Sequence, residues 1–133
     1  MIYGIGVDII HQVRIEKVLQ HYPLLFPKKI LTPRELQKYP DKIERQINFL
    51  SKRFAAKEAF AKALGTGFGK NLHFHDIEIF KNEHGQPYYQ YAHRLSVDYS
   101  IAESFLSIAD DTPNVIAFCI LLKNPELAYR SLV

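Results

Sequence analysis

Two carboxylates and a few well-placed cations are the residues of this chain most able to do chemistry. Asp8 follows "GIGV" near the N-terminus, and Glu58 and Lys62 stand one helical turn apart in "RFAAKEAFAKALGTG", residues 53–67. Gly65-Thr66-Gly67 comes next, then Gly69 and Lys70, where backbone N–H groups can approach an anion closely. Such parts suit a magnesium–phosphate site. Mg2+ takes hard oxygen ligands, often one or two protein carboxylates, and fills its shell with water and substrate phosphate. Asp8 and Glu58 would supply the carboxylates, Arg53 and Lys62 would neutralise the remaining phosphate charge, and Arg45 would be an outlying donor.

A plainer reading stands beside this one. Glu58 and Lys62 have the i,i+4 spacing of a surface salt pair, which is worth little. Glycines end helices routinely, and an Asp at a strand end often serves only a turn. A His or Cys metal site fits less well, because His73 and His75 read as strand residues. No G-x-x-x-x-G-K-[ST] or G-x-G-x-x-G loop occurs.

The elements that must position these residues follow from periodicity. "MIYGIGVDII" reads as a first strand and "QVRIEKVLQHY" as a helix that Pro23 stops. In "LTPREL", Thr32 is an N-cap, Pro33 the first helical residue and Glu35 the return partner of a capping box. A long helix is expected from about residue 41 to 64, with Gly65 as its stop. At ~100° per residue, Ile47, Leu50, Phe54 and Ala61 share one face, which should meet the sheet, with Glu58 in or beside it. Phe49, Ala56, Phe60 and Ala63 form a second apolar face, which in so short a chain would meet another subunit.

The second half reads as strands. "FHDIEIF" alternates Phe74, Asp76, Glu78 and Phe80 against His75, Ile77 and Ile79, and "NEHGQPYYQYA" is a hairpin connection and a strand. "SVDYSIA" is a helix end or a loop. "SFLSIADDTPNVIAFCILL" is two antiparallel strands joined at Asp-Asp-Thr-Pro-Asn, and the tail "KNPELAYRSLV" is left unassigned. The expected fold class is α+β: a small antiparallel sheet packed on one long helix, in a single domain spanning residues 1–133.

Composition bounds the rest. A hydrophobic fraction of 47% with 23% charged residues is ordinary for a globular domain. The net charge of +3 suits an acidic partner or phosphorylated ligand without indicating nucleic acid. The one cysteine, Cys119, lies in an apolar run and fits a reducing compartment. No apolar run nears the ~20 residues of a membrane span, and the start lacks a signal-peptide pattern. A soluble, cytoplasmic protein is expected.

Two spaced motifs sharpen the site. Gly6-Val7-Asp8, together with Phe54-Ala55-Ala56-Lys57-Glu58-Ala59-Phe60-Ala61-Lys62-Ala63, resembles the G-x-D and F-x-x-K-E-A-x-x-K-A signatures of the holo-[acyl-carrier-protein] synthases, small phosphopantetheinyl transferases. "FPKKILTPREL", "FHDIEI" and "HGQPY" resemble that family's intervening segments, in order, so the likeness runs from residue 1 to about 122.

The resemblance implies transfer of the phosphopantetheine arm of coenzyme A to a serine of apo-acyl carrier protein, with release of adenosine 3′,5′-bisphosphate, in fatty acid biosynthesis. By motif, Asp8 and Glu58 would hold Mg2+ on the pyrophosphate, Lys62 would contact that phosphate, and Gly65 and Thr66 would lie along the coenzyme. Arg53 and Arg45 would meet the adenosine-side phosphates, and Gly85 and Pro87 would border the coenzyme. The short members of this family resemble homotrimers with active sites between subunits. Arg14, with Lys17, Lys28 and Lys29, would face the acidic carrier. One position departs: Asp110 stands where many members have histidine, which leaves Glu58 or water ahead of Asp110 as the base. Two other classes compete with the transferase: a coenzyme-binding module without turnover, and an interaction protein whose basic first helix docks an acidic partner.

Overall fold

In a computed structural model, residues 1–125 of the chain are described. Strand β1 (Ile2–His11) leads into α1 (Gln12–His21), α2 (Leu25–Ile30), α3 (Pro33–Leu36) and the long α4 (Ile43–Leu64). Then come a 3₁₀ turn (Phe74–Asp76), β2 (Ile77–Lys81), β3 (Pro87–Tyr91), α5 (His93–Asp98), β4 (Ile101–Asp111) and β5 (Asn114–Lys123). The mixed α+β architecture, the long helix and the β4–β5 hairpin agree with expectation. The tail beyond residue 125 lies outside the described residues.

Local chemistry explains most boundaries. Thr32 and Glu35 form the expected capping box, side chain to backbone N–H in both directions. Gly65, at φ 87°, ends α4 in the left-handed conformation that glycine adopts without strain. Helix α2 is not marked by the usual signals. It forms because Pro27 falls in the first turn, where its missing N–H costs nothing, while Phe26 and Ile30, four residues apart, bury together. "SVDYSIA" resolves into the end of α5 and the start of β4.

Two expectations on the sheets need correction. There are two sheets among the described residues: β1-β5-β4 and the hairpin β2-β3. Helix α5 carries the chain from β3 to β4, and no ladder joins those two strands. The strand in "FHDIEIF" also starts late, at Ile77. The Asp76 carboxylate accepts the His73 N–H at 2.8 Å, and such a local bond stabilises a turn in place of a ladder.

The helix faces also differ from expectation. The stripe on the sheet is made of small residues, because α4 and β1 meet backbone to backbone. A Cβ on Gly6 would lie 1.9 Å from the Ala59 carbonyl oxygen, and one on Gly4 1.9 Å from that of Ala63. Phe54, expected on the sheet, lies instead against Phe26 and Phe74. The second apolar face does not await another subunit. Phe60 packs on Tyr89 and Tyr91, with ring centroids 5.0 and 5.3 Å away, and Tyr89 Oη donates to the Ala56 carbonyl at 2.6 Å.

An exposed apolar surface lies on the sheet. In the β1-β5-β4 register, Ile120 stands between Ile5 and Phe105, Val7 faces Phe118, and Ile9 faces Ile116. Alternation puts these residues opposite the buried row Val115, Ala117, Cys119 and Leu121, on the side away from α4. Ile5, Val7, Ile9, Phe105, Ile116 and Phe118 are all exposed. No helix among the described residues is long and apolar enough to cross a membrane.

The backbone contact generates a stability prediction. Gly6→Ala should destabilise the fold by roughly 3 kcal/mol, because the clashing atom is backbone and cannot rotate away. Gly69→Ala, with no atom within 4 Å of its added Cβ, should change stability by less than about 0.5 kcal/mol. Urea unfolding of the two variants checks both values.

Candidate active site

The glycine contact sets where Asp8 points. Side chains two apart on a strand share a face, so Asp8 follows Gly4 and Gly6 toward α4. There Lys62 Nζ donates to Asp8 Oδ1 at 2.9 Å and to the Val7 carbonyl at 3.1 Å. Lys62 therefore pairs across the helix–strand contact with Asp8, rather than along the helix with Glu58.

Glu58 sits half-buried beside this pair. Its carboxyl is pushed above the ordinary value, first by burial and then by the negative charge of Asp8; Lys62 and Arg14 pull the other way. Asp8, Glu58, Lys62 and Arg14 are thus one electrostatic cluster. Two carboxylates held near one another against their repulsion, with hard oxygens, fit a divalent cation such as Mg2+ that completes its shell from solvent and ligand. No group of three or more His, Cys, Asp or Glu residues exists among the described residues to offer a fuller cage. His75 is otherwise engaged, its Nε2 lying 2.7 Å from the Lys28 carbonyl oxygen.

A cavity of about 480 Å³ opens next to Glu58. Its walls are apolar: Val18 of α1 and Tyr22 just after it, Leu25, Phe26 and Ile30 of α2, Phe54 of α4 and Phe74, with Lys29 as the cation. Beyond Lys62 the helix ends at Gly65 and Thr66, both exposed, and an added Cβ at Gly65, Gly67 or Gly69 would meet open space. A ligand can reach the backbone there.

The other expected residues form a second group. Arg53 is almost buried, stacked 3.5 Å above the Phe49 ring, with Nε 3.4 Å from Glu35 and one terminal nitrogen donating to the Ile79 carbonyl. Burial lowers its pKa to about 10, and Glu35 partly offsets that. Arg53 lines a second cavity of about 460 Å³ with Arg34, Lys38, Phe80, Lys81 and Tyr88. Nearby, Gly85 (φ 78°) and Pro87 shape the β2–β3 turn, which Asn82 organises by accepting the His84 and Gln86 N–H groups. Arg45 is exposed near the start of α4.

These two groups do not meet within one chain. Arg53 and Glu58 are five residues apart, roughly 140° around the helix. Asp110 joins neither group. Its carboxylate is held by Asn48 at 3.0 Å and Lys52 at 3.2 Å, bonds that pull its pKa below the ordinary carboxylate value and weaken it as a base.

Sequence reasoning missed a third cluster. Lys57 and Glu35 are both fully buried, with Nζ 2.6 Å from Oε1. A signal existed, since Lys57 falls three residues after Phe54 and four before Ala61, inside an apolar stripe. A lysine there must be buried and paired.

Comparison with known proteins follows the same lines. The model of the 4′-phosphopantetheinyl transferase superfamily matches residues 4–119. A holo-[acyl-carrier-protein] synthase of Ruthia magnifica subsp. Calyptogena magnifica is 41% identical over 124 residues, covering 91% of this chain and 97% of that protein. One from Neisseria meningitidis serogroup A is 41% identical over 126 residues, covering 92% and 100%. A crystal structure of the Neisseria meningitidis synthase superposes with a TM-score of 0.86 at 39% identity, over 92% of this chain and 100% of that one. The Bacillus anthracis synthase, in complex with CoA (3′,5′-ADP), gives 0.80 at 37% identity, over 92% and 98%.

The raised pKa of Glu58 has a stability consequence. A carboxyl whose folded pKa exceeds its unfolded value favours folding fully below the unfolded value, and that contribution is lost as pH rises through the folded one. Glu58→Gln should therefore raise the Tm of the metal-free protein at pH 7–8. The gain should shrink as pH falls through the folded pKa toward the ordinary value of 4.5. Thermal melts of both proteins from pH 4 to 8 measure it.

Proposed function

Because the chain belongs to the 4′-phosphopantetheinyl transferase superfamily, we propose that it is a holo-[acyl-carrier-protein] synthase acting through the Asp8–Glu58–Lys62 cluster. It moves the phosphopantetheine arm of coenzyme A to a serine of apo-acyl carrier protein. The serine oxygen attacks the phosphorus that carries the arm, the bond from that phosphorus to the bridging oxygen breaks, and adenosine 3′,5′-bisphosphate leaves. The single observation that carries this reading is the convergence of Asp8, Glu58 and Lys62 beside an apolar cavity.

Each residue has a task. Asp8 and Glu58 would hold Mg2+, which offsets charge at the attacked phosphorus and the leaving group. Lys62, already exposed, turns from Asp8 to the pyrophosphate. Gly65 and Thr66 border the coenzyme. Glu58 or a water takes the serine proton in preference to Asp110, which its bonds to Asn48 and Lys52 weaken as a base. Arg14 and Lys29, flanking Glu58 and the cavity, orient the acidic carrier. Positioning and electrostatics supply most of the rate.

Arg45, Arg53, Gly85 and Pro87 belong, on this reading, to the adenosine-side half of a neighbouring subunit's site. Two observations support a homotrimer with sites between subunits: the two residue groups lie on different faces of α4, and the outer face of β1-β5-β4 is apolar and uncovered. The enzyme would work in the cytoplasm on the fatty acid pathway, the whole chain acting as one domain.

Incubation with coenzyme A, Mg2+ and apo-carrier should add the phosphopantetheine mass to the carrier. Asp8→Asn and Glu58→Gln should each lower kcat by about a hundredfold or more. The reading fails if several carriers gain no mass and Glu58→Gln binds coenzyme A as the wild type does. Assembly has its own test. Phe118→Glu on the open sheet face should yield monomers by light scattering and abolish transfer, and a wild-type protein active as a monomer would refute sites between subunits.

A further inference from the structure

We infer that Lys57 is a positioning residue that sets the gap between α2 and the Phe74–Asp76 turn, and so where the carrier's serine meets Glu58. The inference rests on the transferase reading above. Lys57 Nζ donates to the Ile30 carbonyl at 2.5 Å, to Glu35 Oε1 at 2.6 Å and to the Phe74 carbonyl at 3.2 Å. An ammonium has three hydrogens, and three acceptors use them. None remains for a substrate, and the side chain is fully enclosed, so its action passes through the groups it holds.

Those groups are walls of the site. Ile30 and Phe74 both line the cavity that opens beside Glu58. Helix α2 has six residues and the 3₁₀ turn has three, so neither has much stiffness of its own. Direct polar contact between them is the bond from His75 to the Lys28 carbonyl. The ammonium ties both to α4, one residue before the carboxylate that must meet the serine. Glu35 completes the arrangement, accepting also from the Thr32 and Ile79 N–H groups.

The choice of residue argues the same way. Stability alone favours a well-packed apolar side chain over a buried ion pair of equal volume. An ammonium that reaches two carbonyls and a carboxylate on three separate segments fixes their relative placement, which an apolar side chain cannot do. Lys57 makes no bond to β1 or to the loop after Gly65, which flank the coenzyme side of Glu58, although Phe68 of that loop stacks on Phe74 with ring centroids 3.9 Å apart. The effect should fall on the carrier rather than on coenzyme A.

Lys57→Met tests this, paired with Lys57→Met/Glu35→Gln, which removes the carboxylate left unpaired. Binding of coenzyme A with Mg2+, measured by calorimetry, should stay within about twofold of wild type in both. Transfer at saturating coenzyme A should lose about tenfold or more in kcat/KM for the apo-carrier, and the double variant should regain Tm without regaining transfer. Amide exchange should speed up at residues 26–30 and 74–76, and stay unchanged at 6–9. A double variant with restored Tm and wild-type kcat/KM would make Lys57 merely structural. A parallel loss of coenzyme A affinity would refute the carrier assignment. A wild type that modifies no carrier sinks the transferase reading first, and this inference with it.

Discussion

The rest of the structure depends on one contact, the approach of β1 to α4 with no side chain between them. Gly4 and Gly6 leave the carbonyls of Ala63 and Ala59 where a Cβ would otherwise lie. The pleat then does the positioning. Asp8, two residues after Gly6, is carried onto the same face and reaches Lys62 at 2.9 Å. If the strand moved out by the width of a methyl group, that bond would be lost and Asp8 would leave the neighbourhood of Glu58. In the "GIGVD" run the glycines matter for what they omit, and the carboxylate depends on that omission.

Around the same helix, burial sorts the charges by task. Lys57 and Glu35 are fully enclosed; Lys62 is more than half exposed, its side chain 54% accessible, while Asp8 is mostly covered. A buried pair leaves an unpaired ion behind when it opens, at a cost of several kcal/mol, so it is suited to a bond that never opens. A pair with one exposed partner is worth about 1 kcal/mol or less. On the proposed reading, that suits a lysine which would let go of a carboxylate when a phosphate arrives. Arg53 falls between, its guanidinium stacked on Phe49 and its edge near Glu35.

Much of this was legible in the sequence, and the failures share a cause. The capping box at Thr32, the stop at Gly65, the extent of α4 and the pairing of β4 with β5 are local signals, readable within a few residues. The candidate carboxylates were legible too, through residue type and the two spaced motifs. The misread features were long-range. A helix wheel weighted by side-chain size places Phe54 on the sheet, yet close backbone contact selects the alanines. The second apolar face of α4 is covered by Tyr89 and Tyr91, some thirty positions later in the chain, while the open apolar face on β1-β5-β4 emerges only once the register is known. Lys57 escaped notice because Glu35, its partner, lies 22 residues earlier and already had an evident task in the capping box.

The end of α4 used by the site makes a last electrostatic point. Many phosphate sites sit at helix N-termini, where the dipole and free N–H groups attract an anion. Lys62, Gly65 and Thr66 are at the C-terminus, where the dipole presents about half a negative charge. Asp8 and Glu58 add two carboxylates; burial first, and then the charge of Asp8, hold the Glu58 carboxyl above its ordinary value. Lys62 alone cannot make this corner attractive to a pyrophosphate, since its charge is largely spent on Asp8. On the proposed reading, a divalent cation held by the two carboxylates would reverse the local field and release Lys62 toward the phosphate. The pyrophosphate would then depend on the metal for charge balance, whereas the carboxylates alone would already draw the metal.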